Sequence, residues 1–109
     1  MIVQDAVVSL ALEVLGDGER AYRVHLEAGN KEFEAEEAYA NALILYRDGT
    51  VAEREARATL SNSYGAARRE EIKAHAELKR FQHETTKATK VIDVWQTESA
   101  NVRAMERIR

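Results

Sequence analysis

Stepping alternately three and four residues from Tyr64 meets Ala67, Glu71, Ala74, Leu78, Phe81, Thr85, Ala88, Ile92, Trp95, Ser99 and Val102. A mostly apolar series with that spacing over more than five heptads predicts one long helix with a single seam, from about residue 65 to about 107. At 1.5 Å per residue such a helix is about 65 Å long, more than one small core can cover, so it needs a helical partner along most of its length. Residues 18–47 supply one, with Tyr22, Leu26, Gly29, Phe33, Ala40 and Leu43 forming a second seam and Ala35, Ala38, Ala42 and Leu45 beside it. The stretch 2–15, with Ile2, Val3, Ala6, Val7, Val8, Leu10, Ala11, Leu12, Val14 and Leu15, has almost no polar face and predicts a short helix buried on several sides.

Punctuation between these segments is sparse. Asp48-Gly49-Thr50 ends the second helix at a glycine and opens a short helix over about 50–61, because Thr50 and Glu53 have the spacing of a capping box. A calcium loop starting at Asp48 would close on a glutamate twelve residues along, and that position is Thr59; the Asp17-Gly18 break fails in the same way, with Ala28 there. Leu60 to Gly65 contains weak helix formers and predicts a break before the long helix. The fold class is therefore all-α: a single helical domain over 1–109 built as a long antiparallel, coiled-coil-like hairpin with short extra helices. The apolar excess of the first helix and of Ala42–Tyr46 adds the expectation of a homo-oligomer. Its oligomer or core positions are Leu10, Val14, Phe33, Leu43, Leu78, Phe81, Ile92, Trp95 and Val102.

Composition narrows the chemistry. The 109 residues contain no proline and no cysteine, which suits long helices and excludes disulfides and thiolate chemistry. The N-terminal stretch lacks a basic leader and is too short to span a bilayer, so an intracellular, cytoplasmic protein with no membrane partner is expected. His25, His75 and His83 make no i,i+4 pair, and His83-Glu84 is followed by Lys87 where a metalloprotease would carry its second histidine. Glu32, Glu34, Glu36 and Glu37 lack the Glu-x-x-His partners of a di-metal carboxylate bundle. No cofactor, metal, small-molecule substrate or enzymatic activity is expected.

The net charge of −3 is unevenly laid out. Residues 1–60 hold 12 acidic and 6 basic side chains, net −6; residues 61–109 hold 7 acidic and 10 basic, net +3. Two residues past each seam position from Ala67 to Ala88 stand Arg69, Lys73, Ala76, Arg80, His83, Lys87 and Lys90. Two residues are about 200° of helical rotation, so this row faces away from the seam. Arg69, Lys73, Arg80, Lys87 and Lys90, flanked by Arg68 and Lys79, are candidate contacts for a nucleic-acid backbone, which rewards a row of cations without base recognition. The competing reading is a solvated helix face, since Lys73–Glu77 and Arg80–Glu84 have the i,i+4 spacing of surface ion pairs.

Three stretches in this order, "LILYRDGTVAEREARATL", "YGAARREEIKAHAELKRF" and "VIDVWQTESANVRAMERIR", resemble in pattern and spacing the small helical recombination accessory proteins of bacteriophages, the UvsY-type recombination mediators. The resemblance runs over about residues 20–109. It implies an oligomeric protein that binds single-stranded DNA and helps a recombinase displace a single-strand-binding protein. The chain departs from that pattern in its length, its acidic net charge and its short loop at 47–51. A helical protein–protein adaptor or inhibitor acting through the apolar and acidic N-terminal half is the alternative function.

Overall fold

The computed structural model describes residues 4–108, and among these the secondary structure is four α-helices: α1 (Asp5–Gly16), α2 (Gly18–Leu45), α3 (Val51–Thr59) and α4 (Asn62–Ile108). The protein is an all-α helical hairpin. Each boundary has a local cause. Asp17 follows α1, and its Oδ1 accepts the Arg20 amide at 2.9 Å, so the residue that stops one helix caps the next. Gly49, at φ +100°, takes the left-handed conformation after α2; a Cβ there would lie 2.5 Å from Glu53 Oε2. Thr50 then caps α3, its hydroxyl accepting the Glu53 amide at 3.2 Å. Ser61 separates α3 from α4: its hydroxyl donates to Ala58 O at 2.7 Å and accepts the Tyr64 amide at 3.4 Å. The break is therefore a single capping residue, and α4 begins at Asn62, ahead of Gly65.

The chain divides into two compact units, Met1–Ala21 with Arg80–Arg109, and Tyr22–Lys79. In the unit Tyr22–Lys79, α2 runs antiparallel to the first part of α4. Glu32 Oε2 lies 3.9 Å from His75 Nε2, and Tyr39 meets the Tyr64 ring edge-on with centroids 5.3 Å apart, so rising numbers on α2 meet falling ones on α4. Its buried side chains are Ala28, Ala35 and Ala42 at a strict seven-residue spacing, with Ala58, Glu71 and Ala74. Alanine at each level of α2 presents a small side chain to α4, which permits two helices to approach closely. The C-terminal end of α2 is tied down by Arg54 of α3, which donates from Nη2 to Leu43 O at 2.9 Å and from Nε to Tyr46 O at 3.0 Å. Those carbonyls have no partner within the helix, so the guanidinium replaces the missing next turn.

In the other unit α1, with the first residues of α2, packs against the second part of α4. Its buried side chains are Val8, Ala11, Phe81 and Ala88. Arg20 closes this core from the side: its guanidinium carbon is 5.3 Å from the Phe81 ring centroid and its Nη1 is 2.6 Å from Glu84 Oε2. Toward the C-terminus the seam opens. Trp95 and Val102 are 38% and 55% exposed and line an open cleft with Asp5, Ser99, Arg103 and Glu106.

On α4 the seam expected from spacing is the packed face: Ala67, Glu71, Ala74, Leu78, Phe81, Thr85, Ala88 and Ile92 are all buried or half-buried. On α2 the expected seam is corrected. The packed positions are Ala21, Val24, Ala28, Lys31, Ala35, Ala38 and Ala42, whereas Tyr22, Leu26, Gly29, Phe33 and Ala40 are exposed on the opposite face and Leu43 is half-buried. The physical reason is size: against an α4 seam rich in alanine, a row of small residues packs at a shorter interaxial distance than Tyr, Leu and Phe would permit.

Candidate nucleic-acid interface

The cationic row occupies the c and f positions of the α4 heptad, with Glu71, Leu78, Thr85 and Ile92 at a and Ala74, Phe81 and Ala88 at d. Burial of the a and d residues turns the row outward, and Arg69, Lys73, Arg80, Lys87 and Lys90 are all exposed. So are the flanking Arg68 and Lys79.

The two units carry different parts of this row. In the unit Tyr22–Lys79, residues 66–79 hold Arg68, Arg69, Lys73 and Lys79 against Glu70, Glu71 and Glu77, four cations less three carboxylates, or +1. Arg68 and Lys73 are engaged in ion pairs along the helix. Arg68 Nη1 pairs with Glu71 Oε1; the Glu71 side chain is 8% exposed, and this guanidinium compensates a carboxylate held in the helix seam. Lys73 Nζ lies 3.3 Å from Glu70 Oε1, although its side chain remains 75% exposed. Arg68, which spacing places on the flank of the row, is thus engaged with Glu71 while its side chain stays 51% exposed.

In the other unit, residues 80–90 hold Arg80, Lys87 and Lys90 against Glu84, three cations less one carboxylate, or +2, with His83 between them. Glu84 is turned toward Arg20, whose hydrogen bond holds its carboxyl below the ordinary carboxylate range; Arg80 and Lys87 push in the same direction, and partial burial works against them. Arg20 thus adds a fourth cation beside this segment. Spacing could not have shown it, because the contact joins residues 64 positions apart.

Of the oligomer or core positions, Phe81 is buried, and Val14, Leu43, Leu78 and Ile92 are half-buried. Leu10 and Phe33 stand in solvent at 62% and 64% exposure, and Trp95 and Val102 line the open cleft of α4. Trp95, at the end of the seam, is not on the face of the cationic row.

Among the described residues, no three His, Asp or Glu side chains are placed to hold a metal ion. No helix among them is long and apolar enough to cross a membrane. The fold and this face define a helical hairpin with a cationic outer surface on one arm. Comparison with known proteins finds no matching family model, no matching curated protein and no matching solved structure.

Proposed function

We propose that this protein is a non-enzymatic helical accessory protein of phage-type DNA recombination. It binds the backbone of single-stranded DNA through the outward cations of α4 and, as an oligomer, assists a recombinase working against a single-strand-binding protein. The observation that carries the reading is the exposure of Arg69, Lys73, Arg80, Lys87 and Lys90 on the α4 face opposite Ala74, Phe81 and Ala88. A flexible single strand can engage the cations of either unit by charge alone, and several such contacts on linked chains multiply in avidity. Base stacking contributes little, because Phe81 is buried and Trp95, although 38% exposed, does not lie on the face of the cationic row.

The test is fluorescence anisotropy of a labelled single-stranded oligonucleotide at several salt concentrations. Each phosphate contact on a single strand contributes about 0.7 to the slope of log affinity against log salt, so five contacts give about −3.5. Replacing Lys87 and Lys90 by glutamate should bring the slope to about −2. Absence of binding at low salt, or a slope unchanged in the double variant, removes the row from function.

A second reading has its own support. Leu10, Leu12 and Leu15 of α1 are 62%, 55% and 43% exposed, a surface suited to a protein partner. As an adaptor or inhibitor, the protein would lose its partner on Leu10→Asp and keep it on reversal of Lys87 and Lys90.

A further inference from the structure

The outer face of α2 carries a second heptad seam that no part of its unit covers. Tyr22, Leu26, Gly29, Phe33, Glu36 and Ala40, all exposed, follow the alternating four-and-three spacing of a coiled-coil contact, displaced half a turn from the buried Ala28, Ala35 and Ala42; Leu43, next in the series, is half-buried. Tyr22, Leu26 and Phe33 are 69%, 47% and 64% exposed. Two aromatics and a leucine exposed to that degree leave about 400 Å² of largely apolar surface in water, the size of the largest patch on an ordinary monomer.

We infer that this face binds the same face of a second copy of the chain, antiparallel, about a two-fold axis close to Gly29. The inference deepens the oligomeric part of the proposed function and is independent of its DNA part. Charge decides both the occupant and the direction. The charged residues flanking the outer seam change sign along α2: Arg23 lies before Gly29 and Glu32 and Glu37 after it, with Glu36 in the row itself. Antiparallel pairing sets Arg23 of each copy against Glu36 and Glu37 of the other. Parallel pairing would stack the carboxylates on one another and the arginines on one another, which is destabilising. Gly29 is the middle of the five positions from Tyr22 to Glu36, and a Cβ built on it meets nothing within 4 Å, so the position where the two helices cross is the one with no side chain to hold them apart. Two such patches bring together about 800 Å² of apolar surface, and the polar flanks extend that into the range of specific interfaces, about 1,200–2,000 Å² in total.

The absence of cysteine from the chain makes the geometry directly readable. Light scattering should give a mass of two chains of 12.3 kDa, or a multiple of two. Leu26→Glu with Phe33→Glu should weaken association by about 100-fold while the helical circular dichroism is kept, since both side chains are exposed and absent from the folded core. Gly29→Cys should cross-link to itself with a short bismaleimide. Tyr22→Cys should not, because antiparallel pairing puts two copies of residue 22 about 21 Å apart along the axis. Arg23→Glu should weaken the pair, and adding Glu37→Arg should restore it. A one-chain mass at high concentration, an association indifferent to the glutamates, or cross-linking at residue 22 equal to that at residue 29 would overturn the inference. Anisotropy with single-stranded DNA on the same samples separates this failure from that of the DNA reading, because Lys87→Glu with Lys90→Glu leaves the α2 face untouched.

Discussion

Phe81→Ala is the most informative single perturbation of the fold. The buried side chains among the described residues are otherwise alanines, one valine and one glutamate, so Phe81, at 6% exposure, is the only large apolar side chain fully within either core. Burying a phenylalanine removes about 200 Å² from water, and truncating it costs about 3–5 kcal/mol once the cavity is included. The variant also removes the ring beneath the Arg20 guanidinium, 5.3 Å from its centroid, worth about 0.5–1 kcal/mol more at a partly exposed site. A domain of this size is stable by about 5–15 kcal/mol, so the loss is a large fraction of the whole. Urea unfolding followed by circular dichroism reads it: with a slope of about 1–3 kcal/mol/M, the midpoint should fall by about 2 M. Phe33→Ala is the matched control, the same change at 64% exposure. Its cost should be small for the isolated chain and should grow with protein concentration, as a residue of an intermolecular contact requires. A Phe81→Ala loss below about 1 kcal/mol, or a concentration-independent Phe33→Ala loss of equal size, would refute the assignment of which face of each helix is inside.

Two further substitutions test particular contacts. Glu84→Gln should lower stability at neutral pH, and the difference from the parent should shrink as the pH falls below the ordinary carboxyl value of 4.5. The sign follows from Arg20, which depresses the folded-state pKa, so the contribution is present above the unfolded value and lost as the carboxylate protonates; melting temperatures across pH 3–8 measure it. Arg54→Ala should cost about 1–3 kcal/mol by leaving the Leu43 and Tyr46 carbonyls without their donor, and Arg54→Lys should not recover it because an ammonium cannot fork between two acceptors; thermal unfolding of both variants decides.

Much of the hairpin was legible along the chain because its determinants are local. Thr50 and Glu53, Asp17 and Gly49 act within three or four residues, and each ends or starts a helix where its chemistry requires. The α4 seam was legible because only one face of that helix is apolar over many turns, and the same regularity puts Arg80, Lys87 and Lys90 on the outside. The seam of α2 was not. That helix is apolar on two opposite faces, one of small residues and one of large, and side-chain hydrophobicity favours the large one, Tyr22, Leu26 and Phe33. Only the α4 surface opposite it within the unit Tyr22–Lys79, with Ala67, Glu71 and Ala74, selects the small face, because interhelical distance is a property of the pair. The roles of Arg20, Arg54 and Arg68 were hidden for the same reason. A cation's spacing along a helix says which way it points, but whether its charge is spent on Glu84, on two helix-end carbonyls or on a buried Glu71 depends on what the fold brings opposite it. Sequence alone thus determined the helices, their ends and the outward row of α4, whereas the choice of inner face on α2, and with it the apolar row left in solvent, was decided by tertiary packing.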